Sequence, residues 1–96
     1  MLHLVFNLSD VSLLRRLQSP DSVVVFFDNA VASLFEKSLF ETTLIDLMRL
    51  TPCYVLNEDL ACRGIKKENL IKGIICINYT ELVHMTINQT PICTWN

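Results

Sequence analysis

Glycine, charge and long apolar runs are all scarce in this 96-residue sequence, and each shortage excludes something. Its two glycines, Gly64 and Gly73, do not lie in a Gly-rich turn between a strand and a helix. That rules out a dinucleotide fingerprint and a P-loop, which need backbone amides packed closely around phosphate. Cys53, Cys62, Cys76 and Cys93 include no Cys-x-x-Cys pair, so a zinc knuckle and a thioredoxin-type redox motif are excluded. His3 and His84 lie far apart, and no Cys stands at metal-ligand spacing from either, so no metal site and no cofactor are expected. The longest apolar runs, such as Val23 to Phe27 and Ile74 to Ile77, fall far short of the ~20 residues of a spanning helix. The segment Met1 to Asn7 carries no Lys or Arg, and its apolar stretch is shorter than a signal-peptide core of about 7–15 residues. The cytoplasm is therefore the expected compartment. The eight Lys and Arg residues are scattered and the net charge is −2. Without a basic stripe, direct nucleic-acid binding is not expected, because phosphate neutralisation supplies most of that affinity.

Apolar side chains are plentiful. Hydrophobic residues make up 51% of the chain and charged ones 19%, against roughly 25% charged in an average soluble domain. Mean hydropathy is +0.38. A small domain has much surface per residue and should need more polar residues than average, not fewer. With a membrane span excluded, the surplus points to apolar surface covered by a partner protein.

The length allows one domain, spanning residues 1–96. Leu2 to Phe6 reads as a strand. Ser9 or Asp10 can cap a helix through Val11, Leu13, Leu14 and Leu17. Ser22 to Phe27 is a continuous β-branched and aromatic run, which suits a strand buried on both faces. Asp28 and Asn29 open a helical stretch carrying Val31, Leu34 and Phe35. A second piece carries Leu44, Leu47 and Met48. A break is expected across Ser38 to Thr43, because paired threonines disfavour a helix interior. Cys53 to Leu56 is a third strand, followed by a short helix that Gly64 stops. Ile74 to Ile77 is a fourth strand. A last helix runs to about Ile87, with Leu82, Val83 and Met85 on its buried side, and Asn88 to Asn96 is a tail. Alternating strands and helices imply parallel pairing. The expected architecture is a small flavodoxin-like α/β domain of three layers around a mainly parallel four-stranded sheet, in the order 2-1-3-4.

All four strands end in polar residues: Asn7, Asp28-Asn29, Asn57-Glu58-Asp59 and Asn78. Ligands of open α/β sheets bind beyond the carboxyl ends of strands, but Asn and Asp are also good helix caps, and capping is the simpler role. A receiver-type phosphoacceptor aspartate lacks a suitably placed lysine after a later strand. Among the thiols, Cys53 and Cys76 read as core. Cys62, beside Arg63, and Cys93, in the tail, are the candidates for a reactive thiolate.

The segment Tyr54 to Gly64, Tyr-Val-Leu-Asn-Glu-Asp-Leu-Ala-Cys-Arg-Gly, resembles the third-strand segment of the DsrH/TusB family of sulfur-relay subunits. The Met1-Leu2-His3 start, the strand ending at Asp28, the segment Ile77 to Val83 and the closing Trp95 are similar to the family as well. The resemblance implies a DsrEFH-like fold. It also implies a place in a TusBCD-type heterohexamer, a dimer of heterotrimers with TusC-type and TusD-type partners. Such a complex takes persulfide sulfur from a TusA-type carrier and hands it to a TusE-type carrier, for 2-thiolation of the tRNA wobble uridine. The transferring cysteine is implied to lie on the TusD-type chain, which makes this chain a non-catalytic structural subunit. The alternative is a persulfide-carrying sulfurtransferase that uses Cys62 or Cys93. Two features depart from the family pattern. Asn29 stands where a Gly usually follows the strand-two Asp, and no cysteine lies between Leu8 and Ser22, where some members have one. The apolar residues Leu34, Phe35 and Phe40, with Trp95 in the tail, are the expected interface.

Overall fold

The computed structural model describes residues 1–8, 11–36, 38–88 and 91–95. Five strands form a single parallel sheet: β1 (Leu2–Val5), β2 (Val23–Phe26), β3 (Cys53–Leu56), β4 (Ile75–Ile77) and β5 (Ile92–Trp95). Their spatial order is β4-β3-β2-β1-β5. The helices are α1 (Val11–Leu17), α2 (Glu41–Met48), α3 (Asn57–Cys62) and α4 (Tyr79–Asn88). Short 3-10 turns cover Asp28–Ser33 and Lys67–Asn69. No helix among the described residues is long and apolar enough to cross a membrane. The Ser9 and Asp10 caps expected for α1 lie outside the described residues.

The α/β class and the parallel pairing are as expected, but the strand count and order are not. The sheet has five strands rather than four, and its order is not 2-1-3-4. The fully apolar β2 occupies the centre, where a strand loses solvent on both faces and both edges. The added strand, β5, comes from the expected tail and pairs with β1 from Leu2↔Ile92 to Val5↔Trp95. The expected break before α2 also moves. Thr42 and Thr43 lie inside the helix, which begins at Glu41, because burial of Leu44 and Leu47 outweighs their weak helix propensity.

The two faces of the sheet are covered unequally. Val5, Val24, Phe26, Cys53 and Val55 face Leu14 and Leu17 of α1, Leu44 and Leu47 of α2, and Leu60 of α3. Leu2, Val25, Phe27, Leu56 and Ile77 face only α4, through the half-buried Leu82 and Met85. No α4 residue is fully buried. Val83, expected inside, is 54% exposed.

Trp95 fastens β5 to the sheet. Its Nε1 donates a hydrogen bond of 3.1 Å to Nδ1 of His3, and the two rings are tilted with centroids 6.1 Å apart. His3 is 6% exposed. Burial, and then the nearby N-terminal ammonium, lower its pKa from the ordinary 6.5. An imidazolium has no lone pair at Nδ1 to accept from the indole. A base with a lowered folded-state pKa binds fewer protons folded than unfolded, so its contribution to stability is complete above the unfolded value and declines below it. The urea midpoint is therefore expected to hold steady down to pH 6.5 and then fall, before carboxylates begin to titrate. His3→Asn should flatten that step. The same step in the variant would show that it arises elsewhere.

Candidate functional site

The carboxyl ends of the strands carry most of the polar chemistry, and capping explains little of it. The 3-10 turn after β2 is preceded by Phe27, and α3 by Leu56, with no side-chain cap at either. Only Asn78 caps. Its Oδ1 accepts from the Glu81 amide at 2.9 Å, and Glu81 Oε1 accepts from the Asn78 amide at 3.2 Å, a reciprocal capping box.

Asp28, Asn29 and Asp59 form one connected cluster with Arg63. The Asp28 amide donates to Asp59 Oδ2 at 2.9 Å. Arg63 Nη2 donates to Asp28 Oδ1 at 2.9 Å and to Asn29 Oδ1 at 3.1 Å. The start and the end of α3 are thus both tied to the end of β2. Asp28 has φ 49°, a left-handed conformation that costs most residues about 1–2 kcal/mol and Asp somewhat less. The left-handed position is therefore Asp28 itself, not Asn29. Asn57 Oδ1 and Glu58 Oε2 are buried atoms with no hydrogen-bond partner. An unpaired buried acceptor is costly, so this rim is where the chain tolerates both backbone strain and lost hydrogen bonds.

Beside the cluster lies an open groove of about 730 Å³, between Phe35 and Glu36 on one side and Arg63, Ile65, Lys66 and Asn69 on the other. Its walls are held together by Glu36 N–H to Asn69 O at 2.8 Å and Ile71 N–H to Leu34 O at 2.9 Å. Gly64, at φ 66° with open space where a Cβ would stand, ends α3 at its mouth, as the sequence implied. No three His, Cys, Asp or Glu side chains cluster as a metal site among the described residues.

The four thiols are all free and lie apart in environment. Cys53 is buried, its thiol donates to Thr51 O at 3.5 Å, and burial pushes its pKa up to about 12. Cys76 and Cys93 are half-buried, and Cys62 is exposed at the end of α3. The Arg63 guanidinium beside Cys62 is engaged by Asp28 and Asn29.

The four expected interface residues are not equivalent. Leu34 is fully buried and belongs to the core cluster that holds Val24 and Phe26 of β2 and Leu44 and Leu47 of α2. Phe40 and Trp95 are half-buried against the same core. Phe35 is 44% exposed, and Leu39, in the same Leu34 to Phe40 stretch, is 94% exposed. The larger feature missed is on α4, where Tyr79, Val83 and Ile87 face solvent. Their four-residue spacing was the available signal, obscured by placing Val83 inside.

Comparison with known proteins gives consistent matches. A family model described as "DsrH like protein" matches residues 5–91. The chain is 32% identical to Protein TusB of Escherichia fergusonii over 86 residues, covering 88% of this chain and 84% of that one. It is 27% identical to Protein TusB of Buchnera aphidicola over 88 residues, covering 91% and 88%. Among solved structures, MTH1491 of Methanobacterium thermoautotrophicum, described as of unknown function, superposes with a TM-score of 0.78 at 14% identity, covering 97% and 96%. The ychN protein of E. coli superposes with a TM-score of 0.74 at 16% identity, covering 98% and 97%. At these identities the structural matches speak for the fold.

The left-handed residue can be located by substitution. At position 28, Gly is expected to be more stable than Ala by about 1 kcal/mol, because only Ala retains the strain. At position 29, inside the 3-10 turn, the order should reverse, with Ala ahead by roughly 0.5–1 kcal/mol. Urea denaturation of the four variants checks this, and the same ranking at both positions would contradict it.

Proposed function

The chain belongs to the DsrH family, and on that premise we propose that it is a structural subunit of a TusBCD-type sulfur-relay complex. The observation that carries this reading is its similarity to proteins named TusB over most of both lengths. Its partners are TusC-type and TusD-type subunits in a heterohexamer, a dimer of heterotrimers, acting in the cytoplasm. The complex takes persulfide sulfur from a TusA-type carrier and delivers it to a TusE-type carrier for 2-thiolation of the tRNA wobble uridine. The transferring cysteine lies on the TusD-type chain, and this chain binds no nucleic acid directly.

The thiols support a passive role. Sulfur transfer needs an accessible thiolate. Cys53 is buried with its pKa pushed up to about 12, and Cys76 and Cys93 are half-buried. Cys62 alone is exposed, and that favours a second reading in which this chain carries sulfur. In that case the Cys62 thiolate attacks the outer sulfur of a carrier persulfide. The carrier S–S bond breaks, the carrier leaves as a thiolate, and Cys62 becomes the persulfide.

The readings separate in the complex purified with the products of its chromosomal neighbours. Given a carrier bearing radiolabelled persulfide, a complex with Cys62→Ser and Cys93→Ser in this chain is expected to pass label within about twofold of the unaltered rate. A loss of about tenfold or more, with label resting on this chain before substitution, would assign the second reading.

A further inference from the structure

The side of the molecule formed by α4 and the sheet beneath it is apolar and almost without charge. Tyr79, Val83 and Ile87 recur every four residues and are 58%, 54% and 69% exposed, so they form one stripe along α4. Leu82 and Met85 turn the other way, onto the sheet. The stripe is flanked by Ile75 and Ile92, 50% and 44% exposed, on the two edge strands β4 and β5. The register places Ile75, Tyr54, Val25, Leu4 and Thr94 in one row across this face, with no Asp, Glu, Lys, Arg or His among them.

The charge pattern limits what can sit there. Of eight basic and ten acidic side chains, only Glu81 lies beyond Lys72. Glu81 is occupied at the start of α4, where its Oε1 accepts from the Asn78 amide. Nucleic acid and anionic lipid both require Lys or Arg, and the segment that forms β4, α4 and β5 has none. A partner drawn in by charge needs an opposite field, which is also missing. A partner charge seated on the stripe would lose its water without a counter-charge. The complementary surface is therefore an uncharged apolar protein face, the character of a permanent subunit interface.

We propose that the α4 stripe Tyr79–Val83–Ile87, with Ile75 and Ile92, is where a neighbouring subunit of the complex seats an uncharged apolar face. This rests on the subunit reading above and names the surface that serves it.

The double variant Val83→Glu, Ile87→Lys tests the proposal. The two residues are exposed, and Glu four positions before Lys supports a helix, so α4 should stay folded, as circular dichroism would show. Co-purification with the neighbouring gene products is expected to fall by about tenfold or more, since seating the Glu–Lys pair against an apolar face strips both charges of water at a cost their attraction does not repay. Leu50→Glu, at a 54% exposed site outside this side, should leave assembly intact. Amide exchange across Tyr79 to Asn88 should slow in the unaltered complex relative to the chain alone. Unchanged assembly of the double variant, or unchanged exchange along α4, would overturn the surface while the complex itself still upheld the subunit reading. A self-dimer that the variant abolishes while the hetero-complex survives would make a second copy the occupant and overturn the proposal. If the unaltered chain forms no complex, both readings fall.

Discussion

The direction in which strands join the sheet governs the rest of this molecule. From β1 to β4 each new strand is added on the same side of the last, and only β5 returns to the far side of β1. Crossovers between parallel strands are right-handed, so three successive steps in one direction put their helices on one face. The long return step puts α4 on the other. The two core clusters show that division, with α1, α2 and α3 in one and α4 in the other. A parallel sheet needs both faces covered, yet here one face has a single helix of ten residues. The excess of apolar over charged residues is the compositional trace of that imbalance.

The same topology builds the polar rim. Because β2 and β3 are neighbours, the turn after β2 lies beside α3, and Arg63 can reach Asp28 and Asn29 while Asp59 accepts from the Asp28 amide. These bonds hold Asp28 in its left-handed conformation. The rim thereby joins two crossovers on the well-covered face, and it also shapes the groove between Phe35 and Lys66. The covered face carries the ion pairs of Arg63 and Arg49, whereas α4 carries a stripe of exposed apolar side chains.

Much of the fold was legible locally. Val23 to Phe27 announced a strand buried on both faces, and that strand is central. Gly64 announced the end of α3. What was not legible depended on residues far apart in the chain. The strand Ile92–Trp95 has only four residues and becomes a strand by pairing with β1, some 90 positions earlier. Strand order likewise depends on which helix each face can accommodate. Thr42 and Thr43 argued for a break across Ser38 to Thr43; the break ends at Phe40 instead, and burial of Leu44 and Leu47 keeps both threonines in α2. At the site, the cluster of strand-end acids and amides was visible, but its wiring through Arg63 was not, because short-range capping offered an equally good reason for every one of them. Val83 was misplaced because a hydrophobic residue beside Leu82 reads as buried when no partner is in view.

The proposed subunit role draws these features together: a family match over most of the chain, a sheet with one thinly covered face, and an apolar stripe on the helix that covers it. Such a chain should be at its most stable within an assembly, where the exposed α4 stripe leaves water. Native mass spectrometry of the chain, expressed alone and then together with its chromosomal neighbours, tests this most directly. The account predicts a poorly soluble or self-associating chain alone and a defined hetero-oligomer with its neighbours. A well-behaved monomer in both preparations would contradict it.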